Sequence, residues 1–392
     1  RRVSNGMNYG KRALRAHKKN RGKISIVSSF PLRNKRDLSI AYTPGVAAVS
    51  RYIAENPKAA RTHTMKGRMV AIISDGSAIL GLGNLGPEAA LPVMEGKAAL
   101  FKHFADIDAF PIVLGTQDED EIVAAVRAIA PTFGGINLED ISAPRCFAIE
   151  ERLKKELSIP VFHDDQHGTA IVVLAALINA LKVVKKKLGK VCIVINGAGA
   201  AATATTKFLI YAGANQKNIR VLDTKGILAI GREHMNGAKD ELARLTNKNK
   251  ERGTLKDALE NADIFIGMSA KGALKPEWVK NMADKPIVFA LANPDPEIDP
   301  KEAKKTKIAV FGTGRSNLPN QINNVLAFPG IFRGALDAEA RDITDEMKLA
   351  AARAIASLIP TKKLSAKYII PNPFDKRVAP AVARAVKKVA RK

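Results

Sequence analysis

From Met69 onward, short apolar runs alternate with amphipathic stretches. MVAIIS (69–74), FPIVLG (110–115), FGGINL (133–138) and IPVFH (159–163) are continuous enough to be strands covered on both faces. Segments 92–104, 118–130 and 144–157 carry the helical period between them, and 169–184 predicts a longer helix ending in the break KKKLGK. A second series follows, with strands VCIVIN (191–196), IRVLD (219–223), DIFIGM (263–268), IVFALA (287–292) and IAVFG (308–312). The last sixty residues read as helical, with breaks at Pro360, Pro371 and Pro380. Ahead of the first series, 11–23 reads as a helix running into a strand. Alternation of this kind predicts βαβ units and parallel sheets, hence fold class α/β with two domains, 1–162 and 163–392. The second domain is Rossmann-like and doubly wound, and takes in C-terminal helices over about 332–392.

Composition narrows the class. With 392 residues, 46% of them hydrophobic and 26% charged, the chain can bury two cores, and no run of about 18 apolar residues suggests a membrane span. Two cysteines, Cys146 and Cys192, fit a reducing, cytoplasmic setting better than a disulfide framework. Charge is the anomaly: 63 basic residues against 38 acidic ones give +25, and no acid precedes Asp37. The basic residues are dispersed and aromatics make up only 5%, which argues against nucleic acid as a partner and for a solvated basic face. The acid-free opening also has the composition of a transit peptide.

The clearest local chemistry lies in VCIVINGAGAAATATTKFLIYAGA, a buried strand, a glycine turn and a helix. Gly197 permits the turn and Gly199 lets backbone approach a pyrophosphate. Ala198, Ala200 and Ala201 complete the loop, and Ala202 stands at the third-glycine position. The following helix presents free N–H groups and its positive dipole end to phosphates. Asp223 ends the next strand, 21 residues past Ala202, where an acid grips the adenosine ribose. That favours NAD, although Lys225 could serve a 2′-phosphate and leaves NADP possible.

Two acidic pairs end two successive strands of the first series: Glu139 and Asp140 after GGINL, Asp164 and Asp165 after IPVFH. Ligands in parallel α/β sheets gather at the carboxyl ends of strands, so both pairs should face one crevice. Four converging carboxylates call for a hard cation, Mg²⁺ or Mn²⁺. Helix capping is the competing account, by Asp140 for the 144–157 helix and by Asp165 for the one near Thr169. His163 and His167, four apart, raise zinc as a further alternative.

With these residues in hand, the sequence resembles the malic enzyme family in its short prokaryotic form, from about Lys11 to the C-terminus. The resemblance rests on AYTPGVA (41–47), SDGSAILGLGNLGP (74–87), PVMEGKAALFK (92–102), GGINLEDI (134–141), FHDDQHGTA (162–170), ALANPDPE (290–297) and NNVLAFPGIFRGALD (323–337). It implies a substrate domain followed by a dinucleotide-binding domain, assembled as a homodimer or larger. It also implies metal-dependent oxidative decarboxylation of (S)-malate to pyruvate and CO₂, with oxaloacetate as a further substrate for decarboxylation. Carried over by motif, Glu139, Asp140 and Asp165 bind the metal, Lys97 takes the malate hydroxyl proton, Asp164 supports Lys97, and Tyr42 protonates the enol. Asn293 and Asn324 contact the substrate carboxylate, and Asn293 also lies on the nicotinamide side. Burial and the metal should lower the Lys97 pKa while Asp164 raises it, a balance the sequence leaves open. Longer eukaryotic-type members have an arginine in the stretch where this chain has Ala78, so part of the carboxylate clamp has no candidate. Ala202 for glycine and a charge of +25 are further departures.

Overall fold

The computed structural model describes residues 9–79 and 82–390. Leu80 and Gly81, within the SDGSAILGLGNLGP motif, and both chain ends lie outside the described residues. The first sheet contains β1 (Met69–Ser74), β2 (Asp108–Val113), β3 (Gly135–Leu138) and β4 (Val161–His163), all parallel, in the order β2-β1-β3-β4. Every residue of β1 is buried, as a central parallel strand requires, and Pro111 is tolerated because β2 is an edge.

The second sheet holds β5 (Ile193–Asn196), β6 (Ile219–Asp223), β7 (Gly226–Ile227), β8 (Ile264–Gly267), β9 (Ile287–Ala290) and β10 (Val310–Thr313), ordered β10-β9-β8-β5-β6-β7. The chain winds outward in both directions from β5, which creates the switch point where dinucleotides bind. Only β7 is antiparallel, and its two residues are too short to leave a hydrophobic signature.

Between the sheets runs the helix Asp164–Val184, the axis of a core shared by both sheets and the C-terminal helices Phe328–Asp337, Asp345–Ser357 and Val378–Ala390. By length and apolarity this helix could cross a membrane, but 72% of its most apolar window is buried inside the protein. Separate clusters cover the outer faces of the first and second sheets.

Several expectations are corrected. The long helix begins at Asp164 rather than near Thr169, because β4 passes into it without a loop and both aspartates suit its positive end. The 92–104 helix spans Pro87–Ala105, with Pro87 rather than Pro92 in the first turn. Pro380 likewise sits in the first turn of Val378–Ala390 and does not break it. The N-terminal helix is Tyr9–Asn20, and no strand follows it; among the described residues the first strand is β1. Helices Lys35–Ala41 and Val46–Glu55 bury no side chain, so the globular pattern does not extend into this region.

Candidate active site

The ends of β3 and β4 meet at the start of the long helix. Glu139 and Asp140 follow β3 directly, and Asp164 and Asp165 follow β4 with nothing between. Glu139, Asp140 and Asp165 offer oxygens that all lie within 4.8 Å of one another. Asp140 takes a left-handed conformation, φ 53°, and its N–H donates to Asp165 Oδ2 at 2.8 Å. Asn137 Nδ2 donates to Glu139 Oε2 at 2.9 Å. Burial pushes the Glu139 carboxyl well above its ordinary range; Lys97 opposes this, and Asp165, Asp164 and Asp140 add to it. Three crowded carboxylates with no histidine or thiol among them fit a hard divalent cation.

The capping readings of these acids fail. Pro144 precedes the Arg145–Glu156 helix where Asp140 was a candidate, and Asp165 lies inside the first turn of its own helix, which follows His163. A zinc pair fails too. His167 Nε2 lies 2.9 Å from both Glu150 oxygens and its Nδ1 lies 3.2 Å from Lys348 Nζ, so both ring nitrogens are engaged.

Lys97, only 6% exposed, projects from the middle of the Pro87–Ala105 helix. Its Nζ lies 2.5 Å from Asp164 Oδ2, 2.8 Å from Glu139 Oε1 and 4.1 Å from the centre of the Phe328 ring. Burial pulls the ammonium down, but Asp164 and Glu139 together more than offset it, so its pKa is raised. The balance left open by the sequence thus falls toward the charged form, because two carboxylates face the amine. Asn324 Nδ2 donates to the same Asp164 oxygen at 2.5 Å. Gly168, one turn on, leaves room for this carboxylate: a Cβ there would lie 1.9 Å from Asp164 Oδ1.

A cavity of about 870 Å³ opens over these groups, lined by Lys97, Glu139, Asp140, Asp165, Asn293 and Asn324, with Ala78, Ala200 and Ala201 on its wall. It shares Gly199, Met268 and Ser269 with a second cavity of about 740 Å³, lined by Asn196, Gly197, Ala198, Asp223, Lys225, Lys239 and Trp278. The glycine turn therefore joins the carboxylate cluster to the second cavity. Gly197 sits at φ 138°, and a Cβ would come within 2.5 Å of the Met268 carbonyl oxygen. Helix Ala200–Tyr211 starts just after Gly199, with its N-terminus toward the turn.

Comparison with known proteins decides the family. The description "Malic enzyme, NAD binding domain" matches residues 166–391, and "Malic enzyme, N-terminal domain" matches 21–120 and 116–154. The chain belongs to the malic enzyme family. It is 57% identical to the bifunctional malic/malolactic enzyme of Bacillus subtilis, over 98% of this chain and 93% of that protein. It is also 57% identical to the NAD-dependent malic enzyme of Geobacillus stearothermophilus, over 94% of this chain and 77% of the relative. The crystal structure of malic enzyme from Pyrococcus horikoshii superimposes with a TM-score of 0.93 at 49% identity, covering 97% of this chain and 90% of that one.

Within this family member, one sequence-derived site residue stands apart. Tyr42 is 67% exposed and does not line the cavity that holds Lys97. Asp223 ends β6 as expected, but its carboxylate is not bare. Arg232 donates to both of its oxygens at 2.8 and 2.6 Å, and Lys239 to Oδ2 at 2.8 Å. Desolvation would raise its pKa, but these cations and the Lys225 N–H hold it well below the ordinary carboxylate range. Arg232, Lys239, Phe328 and Glu150 went unmarked in the sequence reading. Phe328 lay inside a quoted motif; the others follow no spacing rule, since their partners are set by tertiary contacts.

Proposed function

We propose that the chain oxidises (S)-malate with NAD or NADP and decarboxylates the product to pyruvate, and that it also decarboxylates oxaloacetate. The observation that carries this reading is one cavity uniting three hard-oxygen ligands, a buried Lys97–Asp164 pair and the glycine turn. In this division, 1–162 provides substrate and metal contacts and 163–392 the dinucleotide site. Glu139, Asp140 and Asp165 would hold Mg²⁺ or Mn²⁺, which would supply Lewis-acid stabilisation of negative charge developing on the substrate. The glycine turn, 197–201, would hold a dinucleotide whose nicotinamide would supply the acceptor for the C2 hydride. Lys97, in its neutral form, accepts the C2 hydroxyl proton. Glu139, once engaged by a cation, would hold the ammonium form of Lys97 less strongly. Asp164 keeps the amine aimed at that oxygen, and Asn324 fixes Asp164. Asn293 and Asn324 amides bind substrate carboxylate, and Tyr42 protonates C3 of the enol.

Tyr42 fits that role in a homodimer. Its segment exposes Ile26, Val27, Phe30, Leu32, Leu38, Ile40 and Tyr52, and its helices bury nothing within the chain. Apolar surface on this scale calls for a partner. A second copy of the chain satisfies it and brings Tyr42 to the partner's cavity. Small molecules are the remaining partners, and the location is cytoplasmic.

The test is formation of reduced nicotinamide from malate and Mn²⁺ with each cofactor in turn, before and after EDTA. Expected are turnover with at least one cofactor, loss with chelator and recovery on adding Mn²⁺. Turnover with neither cofactor, or unaffected by EDTA, overturns the reading.

A further inference from the structure

Behind the carboxylate cluster lies a second carboxylate that the chemistry does not use. Glu150, on the Arg145–Glu156 helix, is 5% exposed. Its Oε1 accepts from the His163 N–H at 3.2 Å, and its Oε2 from Gln166 Nε2 at 3.1 Å. His167 Nε2 lies 2.9 Å from both oxygens, and Lys154 Nζ lies 3.1 Å from Oε1. Three of these four donors belong to His163, Gln166 and His167, the residues that bracket Asp164 and Asp165.

The proton arrangement follows from the partners. An ionised carboxylate only accepts, so His167 donates from Nε2, and its Nδ1 accepts from Lys348, whose Nζ also lies 3.0 Å from Asp345. A buried carboxylate is costly unless its acceptor sites are filled, and this one is filled mainly by a single chain corner. Simple packing against β4 would be served by an apolar side chain. A charge that gathers one backbone and two side-chain donors from a five-residue span instead fixes that span's geometry.

We propose that Glu150 is a positioning residue that holds the β4–helix corner so that Asp165 meets Glu139 and Asp140, and thereby sets the affinity of the divalent-cation site. This rests on the reading of those three acids as cation ligands. The carboxylate also ties the first sheet's outer helix to the start of the shared core helix. Through His167 and Lys348 the tie reaches the C-terminal helix Asp345–Ser357.

The experiment compares wild type, Glu150→Gln and Asp165→Asn in the full-length chain. Mn²⁺ affinity is measured by calorimetry without malate or dinucleotide, and NADH affinity by quenching of Trp278, the sole tryptophan, on the dinucleotide cavity wall. Glu150→Gln keeps the shape but replaces one acceptor oxygen with a donor facing donors. Expected is Mn²⁺ binding about 10–100-fold weaker, the usual cost of losing an outer partner of a metal ligand, with NADH binding within about twofold. Loss of position also follows when a neutral partner of Glu150 is removed, whereas loss of a remote attracting charge does not, so a variant that keeps the Glu150 charge must lose affinity too. Gln166→Leu, which keeps that charge and removes one donor only, gives a smaller loss and stands in if Glu150→Gln does not fold. Wild-type Mn²⁺ affinity in a folded variant, parallel loss of NADH binding, or a loss confined to Glu150→Gln each overturns the proposal. Should wild type and Asp165→Asn bind Mn²⁺ alike, the ligand assignment itself fails.

Discussion

Lys97 Nζ lies 2.5 Å from Asp164 Oδ2, linking the middle of the Pro87–Ala105 helix to the first residue of the long core helix. The contact fixes an amine at the cavity wall, with Phe328 beneath it. Lys97→Ala should lower malate oxidation by about 10²–10⁴-fold, the usual worth of a positioned base. Cofactor affinity and thermal stability should change far less. Tyr42→Phe should spare hydride transfer and slow enol tautomerisation. Parallel assays of malate oxidation, oxaloacetate decarboxylation and pyruvate proton exchange separate the two. Near-wild-type malate turnover by Lys97→Ala would place the base elsewhere.

Gly168 offers a second test, because its effect reverses the ordinary helix rule. Gly→Ala inside a helix normally stabilises by about 1 kcal/mol. Here the added methyl would meet Asp164 Oδ1 at 1.9 Å, so either the carboxylate or the helix must move. Gly168→Ala should therefore be no more stable than wild type and at least about tenfold slower with malate. Thermal unfolding together with steady-state kinetics checks this; a stabilised, fully active variant contradicts the crowding at Asp164.

Mixing two impaired variants tests whether Tyr42 acts across the proposed dimer. Tyr42→Phe and Lys97→Ala chains, unfolded and refolded together in equal amounts, form mixed dimers for about half the population by symmetric pairing. One site of each mixed dimer then holds both native side chains if Tyr42 acts in the partner's cavity. Activity should recover to about one quarter of wild type. No recovery, with mixed dimers demonstrated, places both groups in one chain.

The proposed basis of cofactor choice is Asp223. Its charge repels a 2′-phosphate, while Arg232 and Lys239 counter it at 2.6 and 2.8 Å. Asp223→Ser frees both cations and should raise the NADP/NAD ratio of kcat/KM by about 10–100-fold, as for a gained charge-assisted contact. Calorimetry with adenosine 2′,5′-bisphosphate should show tighter binding in parallel. An unchanged ratio would leave Asp223 outside cofactor discrimination.

The sequence alone determined the features that depend on neighbours along the chain. Runs such as MVAIIS and IRVLD are apolar without alternation because parallel strands are covered on both faces, and both form strands within the quoted limits. The glycine turn is legible because Gly197 needs φ 138°, and the acid pairs because they close strands whose ends share a crevice. Tertiary structure decided which distant side chains meet. Asp164 joins Lys97 and Asn324, 67 and 160 positions away, and Glu150 reaches the His163–His167 corner from a helix with an unremarkable sequence. The company Asp223 keeps and the exposure of Tyr42 were likewise hidden from the sequence. Hydrophobic periodicity encodes which face of an element is buried. The charge state of a buried amine, or the freedom of a carboxylate to meet a ligand, depends on the few atoms within about 3 Å, and only the path of the folded chain brings those together.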